Sequence, residues 1–253
     1  MKRLLKNISL IAVGILTLLG ATTGMLYANE DSSVSQIKIA IIDSGADSYV
    51  DYARSFTSYP AHKDPMNHGT EIAKLIRRNN PSAHISMLQV FEMIGNEGRP
   101  SRDAILQAIN WCMANGINIV NMSLVIKYDK EIDEIMTRAA TSHGIVFVAA
   151  AGNRTIASHF AADKDGYICK VAKTVKPAFP ASNPDAIAVG GLDQNGEIAA
   201  YSDKGCDIYA SGKVLGQEGS SFATARITGR IAEILTKQPH ATKKDILSLL
   251  KKE

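Results

Sequence analysis

The sequence predicts an α/β fold of three layers, a central and mostly parallel sheet flanked by helices. Three observations carry this expectation. Short, almost wholly apolar runs, residues 37–42 and 145–150 among them, read as buried strands. Stretches with apolar residues at helical spacing lie between them, several closed by Gly or Asn-Pro signals. The two kinds then alternate along the chain, the rhythm of parallel strands covered by helices on both faces.

Taken in order, residues 37–42 form the first strand, which ends at Asp43-Ser44-Gly45. Functional groups gather beyond the carboxyl ends of parallel strands, so Asp43 is well placed. His68 opens a helix in which Ile72, Leu75 and Ile76 share a face, and Asn79-Asn80-Pro81 stops it. Residues 84–91 read as the second strand. Ser101-Arg102-Asp103 begins a helix carrying Ile105, Leu106, Ile109 and Met113, closing at Asn115-Gly116. Residues 117–124 make a third strand, 130–143 a helix leaving at Gly144, and 145–150 a fourth strand ending at Ala151-Gly152-Asn153. A long polar connection, 154–184, follows. Residues 186–191 and 207–210 read as short late strands, and 222–235 as a helix. After Pro239, Thr242 and Asp245 form a capping box on a last amphipathic helix, whose lysines (243, 244, 251, 252) form a solvated face.

Length and composition fit one sizeable domain, residues 29–253. Net charge is +3 with the lysines scattered, so no basic stripe for nucleic acid is present. Residues 1–28 read apart from the fold. Lys2, Arg3 and Lys6 precede an apolar run, and small residues lead to Ala28, the pattern of a secretory signal peptide. The alternative is an uncleaved anchor, since residues 8–28 are just long enough to span a bilayer, but Thr and Gly dilute their apolarity. Either way the rest is expected to be secreted or extracytoplasmic, with membrane contact only if that segment is retained. Of three cysteines, Cys112 lies on an apolar helix face, while a Cys169–Cys206 bridge stays open. No CxxC or HExxH pattern indicates a metal site, and no Gly-rich phosphate loop follows Asp43, which leaves a nucleotide binder a weak rival.

One stretch stands out late in the chain, Gly219-Ser220-Ser221-Phe222-Ala223-Thr224-Ala225. A serine at a helix start has unpaired N–H groups and the positive macrodipole end beside it, which suits an alkoxide or an oxyanion. An ordinary N-cap serine gives the same local pattern, so Ser221 gains meaning only with a base and an orienting acid. Asp43 and His68 supply them, each at a strand end or a helix start. Gly69, next to His68, lets another backbone or a substrate approach closely. His62, His84, His143, His159 and His240 share no motif, and a metal reading of His62, Asp64 and His68 would draw its ligands from an irregular loop.

Five motifs together resemble the subtilisin-like serine proteases (subtilases). They are Ile41-Ile42-Asp43-Ser44-Gly45, His68-Gly69-Thr70, Asn121-Met122-Ser123-Leu124, Ala150-Ala151-Gly152-Asn153 and Gly219-Ser220-Ser221-Phe222-Ala223. The likeness runs from about residue 37 to 252. It implies a subtilisin-like fold and a serine endopeptidase with Ser221 as nucleophile, His68 as base and Asp43 as its orienting acid. Asn153 would donate to the oxyanion, Ser123, Leu124 and Val125 would pair with an extended substrate, and Ala151 and Gly152 would wall the first specificity pocket. The partner is a peptide or protein substrate; no cofactor, no metal and a monomer are expected. Departures are also present. Glu71, Ala225 and Arg226 replace residues usual in the family, and Val125 stands where a glycine is common. No folding propeptide is evident, and the link after the His68 helix is too short for the family's usual calcium loop. The rival within the same fold is a catalytically silent peptide- or protein-binding module.

Overall fold

The computed structural model describes residues 36–95, 97–153 and 176–251. The expected signal segment, Cys169, His159 and most of the long polar connection lie outside the described residues. β1 (Lys38–Asp43), β2 (Tyr52–Ser55), β3 (His84–Gln89), β6 (Ile119–Met122), β7 (Val146–Ala150), β8 (Ala186–Leu192) and β9 (Ile208–Ser211) form one sheet, in the order β2-β3-β1-β6-β7-β8-β9. Every pairing in it is parallel. Two small antiparallel hairpins, β4 (Phe91–Ile94) with β5 (Glu97–Pro100) and β10 (Lys213–Val214) with β11 (Gln217–Glu218), stand apart from it.

Alternation along the strands splits the core in two. Ala40 and Ile42 of β1, Val120 of β6 and Phe147 of β7 face α2 (Arg102–Ala114) and α3 (Lys130–His143), where Ile109, Cys112 and Met136 are buried. Ile39 and Ile41, Ile119 and Val148 face the other way. They meet Ile72 and Ile76 of α1 (His68–Asn79) and Ile231 and Leu235 of α4 (Ser220–Lys237). Burial pushes the Cys112 thiol far above its ordinary pKa, so it stays protonated as a small core residue.

Local chemistry sets the helix ends. Asp129 accepts from the Glu131 and Ile132 N–H groups at the start of α3, and Gly144 ends that helix at φ +66°. Thr242 and Asp245 form the expected capping box on α5 (Lys243–Leu250). Lys243 departs from the expected solvated face, because its ammonium pairs with Asp207 at 3.1 Å and donates to the Pro184 carbonyl. Residues 80–83 join α1 to β3.

Three elements differ from the sequence reading. β2 is a half-exposed edge strand with no apolar run to betray it. The expected second strand stops at Gln89, and Phe91 instead starts the β4–β5 hairpin, which turns at Gly95, φ +63°. The serine-bearing helix begins at Ser220 rather than 222, which places Ser221 within its first turn.

Sheet order positions the site. From β1 the chain passes to β3 on one side and later to β6 on the other. A crevice therefore opens beyond the carboxyl ends of β1 and β6, where the strand order reverses. Asp43 ends β1, and Ser123 follows β6.

Candidate active site

Asp43 is fully buried, and its Oδ1 lies 2.7 Å from His68 Nδ1. A carboxylate only accepts, so Nδ1 carries the proton and Nε2 keeps a lone pair. The Ser44 N–H donates to the same oxygen at 2.7 Å. The imidazole is only about a quarter exposed (26%). Burial alone would lower its pKa, but the Asp43 charge and hydrogen bond, with the Asp64 charge behind them, outweigh this and leave it raised above 6.5.

Asp64 builds the frame around this pair. It is buried, and its Oδ1 accepts from Ser44 Oγ at 2.8 Å. Its Oδ2 accepts from both the Thr70 N–H and the Thr70 hydroxyl at 2.8 Å. Ser44 Oγ in turn accepts the Gly69 N–H at 3.1 Å. The first turn of α1 has no side-chain cap from Asn67, so Ser44 and Asp64 satisfy its orphan donors, with a negative charge at the positive helix end. The loop carrying Asp43 is thereby tied to the helix carrying His68. The backbone that Gly69 admits is that of Gly45, since a Cβ on Gly69 would lie 2.1 Å from the Gly45 carbonyl oxygen. Both Asp64 oxygens are thus engaged within the protein, and among the described residues no group of His, Cys, Asp or Glu is placed to hold a metal ion.

Ser221 sits at the start of α4, whose N-cap is Gly219 and which has no side-chain cap. Its hydroxyl is therefore not spent on capping, which separates it from an ordinary N-cap serine. It donates to the Ser123 carbonyl at 2.9 Å. Ser123 answers with its own hydroxyl, within 3.0 Å of the Ser221 carbonyl and of Asn121 Oδ1, while Asn121 Nδ2 donates to Thr228 Oγ1 at 2.9 Å. These bonds fix the end of β6 against the first three turns of α4. The ring of Phe222 lies 6.2 Å from that of His68.

Asn153 follows β7. Its Oδ1 accepts from the Ser220 N–H and the Ser220 hydroxyl, both at 2.9 Å. This sets the amide orientation and leaves Nδ2 as the donor, beside Gly219, where a Cβ would come within 3.0 Å of it. Ser220 Oγ also receives the Gly152 N–H at 3.3 Å.

His68, Ser221, Asn153, Ser123, Leu124, Val125 and Gly152 all line a single cleft of about 400 Å³. Ala151 does not line it. The extended chain alternates, so Ala150 and Gly152 face the cleft while Ala151 is fully buried, pairing through its backbone with Val189 and Ala178. The sequence reading also missed Asp203, Ala178 and Pro100, which reach the wall from distant segments with no local signal. Val125 is 46% exposed at the cleft edge. Of the family departures, Glu71 pairs with Lys74 at 3.0 Å, Ala225 is buried, and Arg226 donates to the Lys213 carbonyl at 2.9 Å.

The description of the subtilase family matches residues 34–253. The chain belongs to the subtilase family. It is thus a serine endopeptidase, acting on peptide or protein substrates. Among its relatives is Subtilisin BL of Lederbergia lenta, 28% identical over 246 residues, which cover 88% of this chain and 85% of that one. Subtilisin E of Bacillus subtilis (strain 168) is 28% identical over 230 residues, covering 81% of this subtilase and 57% of that protein. In fold it is similar to a cold adapted subtilisin-like serine proteinase (TM-score 0.65, 22% identity, covering 85% and 80% of the two chains). It is similar also to a lanthipeptide protease (TM-score 0.66, 20% identity, covering 85% and 79%).

Proposed function

We propose that this subtilase is exported and cleaves peptide bonds through an acyl-enzyme, with Asp43, His68 and Ser221 as its triad and Asn153 in its oxyanion hole. The observation that carries the reading is the 2.7 Å contact between Asp43 and a half-buried His68 that shares one cleft with Ser221. In the first step the Ser221 hydroxyl leaves the Ser123 carbonyl and gives its proton to His68 Nε2 while Oγ bonds to the scissile carbon. The carbonyl oxygen becomes an oxyanion, and Asn153 Nδ2 and the Ser221 N–H donate to it. His68 then passes the proton to the leaving amine as the C–N bond breaks. Water repeats the sequence to free the acid. Asp43 keeps the proton on Nδ1 throughout and stabilises the imidazolium. The edge 123–125 would hold the substrate main chain, and Gly152 would wall the pocket for the residue before the cut.

Export rests on the character of residues 1–28. No helix among the described residues is long and apolar enough to cross a membrane. A second reading, a silent peptide-binding module, draws on the Ser221 hydroxyl bonding to Ser123 rather than to His68. A fluorophosphonate probe separates the two. Stoichiometric labelling located at Ser221 by mass spectrometry supports the hydrolase, and an unlabelled, folded protein overturns it.

A further inference from the structure

We propose that the groove between α1 and the β10–β11 hairpin is a second substrate contact, which binds acidic side chains of the peptide a few residues beyond the cut bond, on the leaving side. The inference rests on the hydrolytic reading above and names a substrate class for it.

Two of the residues that depart from the family's pattern, Glu71 and Arg226, meet in this groove, which has a volume of about 250 Å³. Asn67, Glu71, Lys74 and Arg78 follow one another at helical spacing, so α1 presents them along one wall. Arg226 of α4 and the hairpin residues Leu215 and Gln217 form the other. Three cations thus face one carboxylate, and Glu71 is already taken by Lys74 at 3.0 Å. Arg226 donates to the neutral Lys213 carbonyl at 2.9 Å, while its Nε is buried without a partner. Among the described residues no carboxylate forms an ion pair with Arg78 or Arg226. A partly buried cation left uncompensated attracts an anion more strongly than one fully in water, and a guanidinium matches a carboxylate in shape.

Leu215 indicates the kind of ligand. With Gly216 (φ +75°) it joins β10 to β11, and it is fully exposed at the lip of the groove. A free inorganic anion would leave this leucine in water. A peptide segment covers it with apolar stems while its carboxylates reach the arginines.

The groove opens beside the reacting groups. Asn67 precedes His68, and Gln217 leads through Glu218 and Gly219 to Ser221. In the reading above, residues before the cut lie along 123–125 and the amine leaves past His68, so the chain beyond it enters here. At about 1.5 Å per helical residue, Lys74 and Arg78 lie about 9 and 15 Å along α1 from His68. An extended peptide, at about 3.3 Å per residue, spans this in about three to five residues.

The test uses the full chain and internally quenched peptides sharing one cleavable core, with Gln-Gln-Gln, Glu-Glu-Glu or Lys-Lys-Lys at the third to fifth positions after the cut. KM for the Glu form is expected to be about tenfold below that of the Gln form, with kcat unchanged and the Lys form weakest. In an Arg78→Gln, Arg226→Gln double variant this advantage should shrink to about twofold or less. Equal KM for Glu and Gln, or a variant that keeps the advantage, overturns the proposal. So does an equal gain when the Glu run is moved to the amino end of the core, because that marks general attraction to a chain of net charge +3. Should the double variant not fold, Arg78→Gln alone, at an exposed helix position, decides: an advantage cut about threefold supports the proposal, and an unchanged one overturns it. Fluorophosphonate labelling run in parallel keeps the two claims apart. Labelling at Ser221 with no gain from Glu defeats this inference alone, whereas no labelling defeats the hydrolytic reading and this inference with it.

Discussion

The Ser221 hydroxyl donates to the Ser123 carbonyl at 2.9 Å, which joins the proposed nucleophile to the proposed substrate edge. On the proposed mechanism, a peptide pairing with the 123–125 edge would compete for that carbonyl and free the hydroxyl to turn toward His68. Ser221→Ala is expected to lower kcat by at least about 10⁴-fold. Its melting temperature should stay close to wild type, because no cap or core contact is lost. Single-turnover kinetics and a thermal melt check the two halves.

The pH dependence follows from His68. It acts as a base only when neutral, so kcat/KM is expected to rise with pH through the His68 pKa, with an acid limb centred above 6.5. Asp43→Asn removes the main group that holds this pKa up, and the limb should move below its wild-type position while the plateau falls about 10⁴-fold. Stability runs in the opposite sense. The raised pKa contributes stability that is complete below 6.5 and lost as pH climbs through the folded-state value. Rate profiles and melts across the same pH range check both signs.

Asn153→Ala is expected to reduce kcat by about 10²–10³-fold with little change in KM, a magnitude known from subtilisin itself. Ser220→Ala leaves the amide in place but removes one of the two donors that orient it. A loss of about 1 kcal/mol, near fivefold in kcat, is expected. Steady-state kinetics with one peptide substrate rank the pair.

Asp64 touches no reacting group, yet it ties Ser44 to Thr70. Asp64→Asn replaces one accepting oxygen by a donor facing other donors, so a stability loss of about 1–3 kcal/mol is expected. Its charge also helps to raise the His68 pKa, and the acid limb should therefore shift downward, by less than in Asp43→Asn. A purely structural role would leave the limb where it is.

Gly69→Ala would drive a methyl group into the Gly45 carbonyl, which is backbone and has little room to yield. A destabilisation of about 3 kcal/mol is expected in chemical denaturation. Gly116→Ala serves as a contrast, since a Cβ there meets no atom and only its φ of +63° resists.

Much of this architecture was readable in advance, for a physical reason. Core strands such as β1 and β7 are apolar along their length because they are covered on both faces, and α3 announces its exit through Gly144. Asp43, His68 and Ser221 stood out because each sits in a short motif at an element boundary. What stayed hidden depends on contacts distant in sequence. β2 gains its strand character from β3 alone, and Lys243 leaves the solvent because Asp207 and the 184 carbonyl await it. Asp64 lay in an irregular stretch without periodicity, and Asp203 reaches the cleft only through the pairing of Ser202 with Asn153. Alternation beyond β7 was legible in principle, and it distinguishes Ala150 from Ala151 at the wall.

Helix α4 packs against α1 and against β6, β7, β8 and β9, and Ser221 lies in its first turn. One helix is therefore both the main beam of the interior and the mount of the proposed nucleophile. Loss of packing at Ile231 or Leu235, near its far end, is expected to reach the cleft as well. Heating this enzyme should consequently show no interval in which it is inert but still folded: loss of turnover and collapse of the interior trace a single curve.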